Sequence, residues 1–220
     1  MKLVLASGSQ RRRELLTMCG YDYEIIVSNA DETIDESDPE NFVRALSFRK
    51  AKEVFDRLFA AGRRDFAVIG SDTVVAFQKD GETKPVIIGK PKDAEDAVRI
   101  LSMLSGKTHR VFTGVSVIAD ISDENAAAQC SIREKAEIQT ECSITEVTFE
   151  TLSPDEITDY VNSGDPLDKA GSYGIQGPFG MFVREIRGNY FTVIGMPIPV
   201  LYKMLKKIGI LPYGFYERIE

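Results

Sequence analysis

"LASGSQRRRELL", residues 5–16, begins apolar, turns on small hydroxyl and glycine residues, and spends three arginines in a row before returning to leucine. The apolar run at residues 3–6, the turn at Ser7, Gly8 and Ser9, and the recurrence of Leu15, Leu16 and Met18 predict a strand, a tight turn and an amphipathic helix with Ser9 at its N-cap. The first turn of a helix carries unpaired N–H groups and the positive end of the dipole, so Arg11 and Arg12 are misplaced there unless an anion is also present. A phosphate at this corner would engage backbone N–H groups, serine hydroxyls and guanidinium forks together. The alternative is a solvated basic patch.

Working outward, Gly20 suits a helix C-terminal cap and "YDYEIIV", residues 21–27, alternates as a second strand, so the opening unit reads β-α-β. Asp38 and Pro39 start a long helix with Phe42, Val43, Leu46, Val54, Phe55 and Leu58 on its apolar face, ending at Gly62. "FAVIGSDTVVAF", residues 66–77, is a strand by its β-branched content. A helix follows Asp93 and stops at Gly106, and "RVFTGVSVIA", residues 110–119, is another strand. Residues 121–135 read as an exposed loop, and "SITEVTF", residues 143–149, resumes strand character. Ser153, Pro154 and Glu156 form a capping box ahead of a helix that closes at Gly164. "MFVREIRGNYFTVIG", residues 181–195, reads as a hairpin turning at Gly188-Asn189, followed by a helix near Pro197. Strands interleaved with helices define an α/β protein with a mixed sheet and flanking helices.

With 220 residues, 43% of them hydrophobic, the chain can build a large core. Its formal charge of −7 argues against nucleic-acid polymers and anionic membranes as partners, and makes the arginine cluster stand out. Three cysteines (Cys19, Cys130, Cys142) show no metal-type spacing and suit a reducing compartment. No apolar stretch approaches the ~20 residues that span a bilayer, so a cytoplasmic location is expected. The oligomeric state is left open, a homodimer included.

Asp72 lies in the middle of "VIGSDTVV", residues 68–75, where a buried carboxylate is costly unless paired or bound to metal. The alternative is an aspartate that ends the strand. Lys50 falls inside the apolar stripe of the long helix, facing a ligand or snorkelling to water. Lys90, in "IIGKPKD", sits in a loop from which an ammonium could reach a phosphate, or simply be solvated. His109 has no second histidine or cysteine nearby in sequence and reads as a hydrogen-bonding scaffold residue. The segment "SGDPLDKAGSYGIQG", residues 163–177, packs four glycines with Asp165, Asp168, Lys169, Tyr173 and Gln176, the composition of a binding loop in which an Asp-Lys pair anchors the chain. It has neither P-loop nor dinucleotide-fold spacing.

Taken in order, "LASGSQRRRELL", "VIGSDTVV", "GKP", "LSGKTHRVFTG" and "GDPLDKAGSYGIQG" resemble the motifs of the Maf-like nucleotide pyrophosphatases, from about residue 3 to about residue 205. The resemblance implies one domain over residues 1–220, two lobes around a central cleft in an inosine triphosphatase-like α/β fold, a divalent cation (Mg²⁺ or Mn²⁺), and hydrolysis of nucleoside triphosphates to monophosphate and pyrophosphate. It implies that Asp72 is the catalytic proton acceptor, that Lys50 and Lys90 face the phosphates, and that Ser7 and Arg12 also bind substrate. Arg11, Thr73 and Gln176 fall on its specificity positions and point to the dTTP and UTP branch, with CTP and modified pyrimidines as further substrates and clearance of nucleotide pools as the role. Glu32 is expected to join Asp72 at the metal, although Asp31 lies beside it. Arg13 is expected to face solvent, since one of three consecutive helical residues points away from the other two. Two departures are Gln10, where the family usually has proline, and the long 121–135 segment. The competing readings are a 7-methyl-GTP pyrophosphatase of the same family and a non-catalytic nucleotide-binding regulator of cell division.

Overall fold

A computed structural model describes residues 1–78, 81–121 and 136–213. The chain runs β1 (Lys2–Leu5), α1 (Gln10–Met18), β2 (Glu24–Ile25), α2 (Pro39–Ala60), β3 (Phe66–Phe77), β4 (Val86–Ile88), α3 (Ala94–Leu104), β5 (Thr108–Asp120), β6 (Ala136–Phe149), α4 (Pro154–Asn162), β7 (Val183–Arg187), α5 (Tyr190–Ile194) and α6 (Ile198–Lys207). Three short 3₁₀ turns fill the stretch between α4 and β7.

One mixed seven-stranded sheet carries everything, in the order β2-β1-β3-β5-β6-β7, with β4 added to the far end of β3. β1 pairs in parallel with β2 and β3, and the remaining pairs are antiparallel. Both faces of β1 and β3 are covered, which explains why these strands are apolar without alternation. Leu3, Leu5, Ala67 and Ile69 pack with α1 and α6 on one side. Val4, Ala6, Phe66 and Val68 pack with Ala51, Val54 and Phe55 of α2 on the other. Farther along, Val75 and Phe77 join α3 and α4 in a separate cluster around Phe149 and Phe179.

Local chemistry accounts for the helix starts. Asp38 and Asp93 accept hydrogen bonds from Asn41 and Asp96 backbone N–H groups, and Ser153 with Glu156 forms the reciprocal capping box. Where α2 crosses β3 and β5, Gly70 and Gly114 replace side chains with backbone contact. A Cβ on Gly70 would lie 2.2 Å from the Ser47 carbonyl oxygen, and one on Gly114 would lie 2.2 Å from that of Val43. These glycines let α2 sit on the sheet itself.

Three expectations need correction. The second strand shrinks to Glu24–Ile25, because β1 ends at Leu5 and offers no partner beyond Val4 and Leu5. β6 starts at Ala136 rather than Ser143, since β5 extends to Asp120 and pairs with it throughout. The terminal hairpin does not form: Asn189 turns its side chain onto the Phe191 N–H and caps the short helix α5, so only the first arm is a strand. Ser9 occupies the N-cap position of α1, but its side chain makes no capping bond. The expected 121–135 loop lies, apart from Ile121, outside the described residues. Among the described residues, no helix is long and apolar enough to cross a membrane.

Candidate active site

The β1–α1 corner opens onto a cleft of about 930 Å³. Six cations stand on its walls (Arg11, Arg12, Arg13, Lys50, Lys90 and Lys169) against the carboxylates Glu14, Glu32, Asp165 and Asp168. In a chain of net charge −7 this local surplus is a marked reversal. The first turn of α1 contains no acidic residue, and Ser9 leaves its N–H groups uncapped by a side chain. Ser7 accepts from Ser9 N–H at 3.2 Å and from Arg12 Nη1 at 3.1 Å. With both lone pairs engaged, its O–H proton is left to donate. A helix N-terminus, a hydroxyl donor and guanidinium groups at one corner form an anion site.

Asp72 and Thr73 are neighbours on β3 and therefore serve opposite faces of the sheet. Asp72, 8% exposed, faces α2 with Gly70 and lies behind Lys50. Lys50 Nζ donates to Asp72 Oδ1 at 2.7 Å and lies 3.1 Å from Glu32 Oε2, so one ammonium joins the two carboxylates. That arrangement separates Glu32 from Asp31, whose carboxylate is turned away to accept from the Thr33 backbone N–H at 2.9 Å. Lys90 is exposed on the cleft wall.

Thr73 faces the other way. Its hydroxyl meets Thr113 Oγ1 at 3.0 Å and accepts from Arg12 Nη2 at 3.3 Å. Arg12 also donates from Nε to the Gly195 carbonyl at 2.8 Å, and is thus held by three neutral acceptors on three different elements. Burial pushes its guanidinium down from its ordinary pKa, an effect opposed by the charge of Asp72. Beside Thr73 a narrow side pocket of about 80 Å³ runs inward between Val75, Val111, Tyr173, Ile175 and Ile194. Ser9, Arg11, Arg12, Lys169 and Gln176 line both cavities and mark where they join. Arg13, expected in solvent, instead folds back, half-buried, and donates to the Gly8 carbonyl at 3.2 Å.

The glycine-rich segment is braced as its Asp-Lys content implied. Lys169 Nζ reaches Asp168 Oδ1 at 2.7 Å, Asp165 Oδ1 at 3.0 Å and the Asp165 carbonyl at 2.6 Å. Burial works to raise the Asp168 pKa, but the hydrogen bond from Lys169 and the charge of Arg11 outweigh it and hold the carboxyl below its ordinary value. Beneath the segment, His109 Nε2 meets Tyr173 OH at 3.0 Å, and the imidazole ring lies edge-on to Phe149 and Tyr173. Burial drives its pKa down to about 3, so it is a neutral scaffold group at ordinary pH. Two contributors had no clear signal in sequence: the Gly195 carbonyl that holds Arg12, and Ile194 of α5 on the side-pocket wall. The Asn189 cap, an N-cap residue type ahead of an apolar run, was the available clue.

Fold and cleft together define an α/β protein with a cation-walled corner beside a small pocket that has a polar mouth and apolar side chains farther in. The fold is shared with the structure of the Staphylococcus aureus Ham1 protein, at a TM-score of 0.50 and 16% identity over 94% of this chain and 100% of that one. Residues 2–208 match the model of the Maf-like protein family, and the chain belongs to that family. It is similar to a protein named dTTP/UTP pyrophosphatase from Agathobacter rectalis, 41% identical over 95% of this chain and 98% of that protein. It is also similar to a protein of the same name from Bacillus thuringiensis subsp. konkukian, 43% identical over 95% and 96%.

Proposed function

We propose that this protein hydrolyses dTTP and UTP to the monophosphate and pyrophosphate, as the names of its relatives state for them. The observation that carries this reading is the junction of two cavities: a cleft walled by six cations, sized for a triphosphate, and a pocket for a small ring entered past Gln176. We read the whole chain as one domain whose two lobes meet at this cleft, supported by a single sheet that runs from β2 to β7. The two described cysteines, Cys19 and Cys142, are free, which fits a cytoplasmic setting.

In this reading the N-terminal turn of α1, Ser7 and Arg12 bind phosphate oxygens, and Lys50 and Lys90 offset charge on the departing pyrophosphate. Asp72 accepts the proton of the water that attacks the α-phosphorus. Gln176 presents an amide whose oxygen and nitrogen match the N3–H and O4 of uracil or thymine, with Thr73 and Arg11 at the pocket entrance. Cytosine offers the reversed pattern, so CTP is the expected secondary substrate. Asp72 and Glu32 supply hard oxygen donors suited to Mg²⁺ or Mn²⁺. Among the described residues no group of three or more His, Cys, Asp or Glu side chains could hold a metal, so these two carboxylates would share the ion with phosphate oxygens. When bound, the ion supplies charge neutralisation at the phosphates.

A panel of nucleoside triphosphates, canonical and modified, assayed for pyrophosphate with each divalent metal tests the reading. UTP and dTTP are expected above GTP and ATP in kcat/KM by about 10-fold or more. Release of diphosphate with orthophosphate, or a higher value for 7-methylguanosine triphosphate, would overturn it.

A further inference from the structure

Two adjacent arginines on the first turn of α1 are held in opposite ways. Arg12 is half-buried and fixed by three neutral acceptors. Arg11 reaches across the cleft instead, with Nη1 3.1 Å from Asp168 Oδ2. The same carboxylate uses its other oxygen to hold Lys169 at 2.7 Å. From Lys169 the chain of contacts continues to Asp165, whose Oδ2 accepts from Tyr160 OH at 2.5 Å, and Tyr160 OH in turn accepts from the Gly174 N–H at 3.0 Å. The series starts on α4, braces the glycine-rich segment two residues before Gln176, and ends on α1. Arg11 is the point where it meets the junction of the two cavities.

Resting on the proposed function, we infer that Asp168 is a positioning residue for base selection, tethering Arg11 where the cleft meets the side pocket. The Asp168 side chain is 65% exposed, and an ion pair so exposed adds little to stability. Its consequence is geometric. A tethered Arg11 forms one wall of the entrance to the base pocket beside Gln176. An untethered Arg11 has the length to leave the junction and turn deeper into the cation-walled cleft, where it would attract any triphosphate whatever its base and leave the side-pocket entrance open. The tether thus divides the two arginines, Arg12 for phosphate and Arg11 for the base end.

The experiment measures affinities of the full chain for α,β-methylene UTP and α,β-methylene GTP by calorimetry, which needs no turnover. Asp168→Asn is expected to keep the wild-type melting temperature while the UTP-over-GTP preference falls by about 10-fold, a change of roughly 1.4 kcal/mol in discrimination. Asp168→Glu, which can still reach Arg11, is expected to retain most of the preference. Arg11→Ala should lose the same preference, and adding Asp168→Asn to it should change nothing further. An unchanged ratio in Asp168→Asn, an equal loss for both nucleotides, or a further drop in the double variant would overturn the assignment. A wild type that shows pyrimidine preference in binding but releases no pyrophosphate would sink the proposed activity and leave the Asp168 assignment standing.

Discussion

Replacing Gly70 with alanine tests whether α2 is seated closely enough to deliver Lys50 to Asp72. The added methyl would lie 2.2 Å from the Ser47 carbonyl oxygen and 2.7 Å from the Ala51 nitrogen, the two residues that bracket Lys50 on the helix. Cβ atoms essentially never approach closer than 3.0 Å, so the helix backbone must withdraw by about 0.8 Å, the difference between 3.0 and 2.2 Å. Added to the 2.7 Å between Lys50 and Asp72, that withdrawal leaves about 3.5 Å, the outer edge of hydrogen bonding. Overpacking costs about 1–3 kcal/mol, and a clash of methyl against main chain, which cannot change rotamer, belongs near the upper figure. For a chain of this length that is a fall of roughly 6–12 °C in melting temperature. A displacement on this scale at a reacting group costs on the order of 10²-fold in turnover. Thermal unfolding by circular dichroism and kcat with UTP read the two effects separately. A melting temperature within about 2 °C of wild type would show that α2 is not held by this contact; a large drop with unchanged kcat would break the link between its seating and the chemistry.

Asp72→Asn keeps the shape of the strand but removes the charge, so turnover should fall by about 10² or more with the fold intact; near-normal turnover at saturating metal would refute the role given to Asp72. Arg12→Lys cannot reproduce a fork that meets Gly195, Ser7 and Thr73 at once. It should raise KM for UTP about 10-fold and destabilise by about 1–3 kcal/mol, and an unchanged urea midpoint would contradict that placement. His109, held down to about 3, refuses a proton that the unfolded chain accepts below about 6.5, so folded stability declines as pH falls through that window. Relative to His109→Gln, the wild type should lose about 1.4 kcal/mol between pH 7.5 and 5.5 in urea titrations, whereas parallel losses would mean His109 titrates normally.

Three helices were legible because a side chain closes the first turn, at Asp38, Asp93 and Ser153. The terminal hairpin misled because Gly-Asn suits a tight strand turn as well as a helix cap, and which one forms depends on whether Asn189 turns to the Phe191 N–H. Asp72 and Lys50 could be singled out because each is a charge at an apolar position, and the structure joins them at 2.7 Å. The choice between Asp31 and Glu32 needed three dimensions, since only the approach of α2 shows which carboxylate meets Lys50. The Arg11–Asp168 contact spans 157 positions: each residue stands out in its own segment, but no local pattern pairs two charges that only the cleft brings together.

A single turnover of UTP in ¹⁸O-enriched water, followed by mass spectrometry of both products, tests the central claim most directly: that the cleft aims water, assisted by Asp72, at the α-phosphorus with pyrophosphate leaving. The account predicts one ¹⁸O atom in UMP and unlabelled pyrophosphate. Label in pyrophosphate, or the appearance of UDP with labelled orthophosphate, would contradict it.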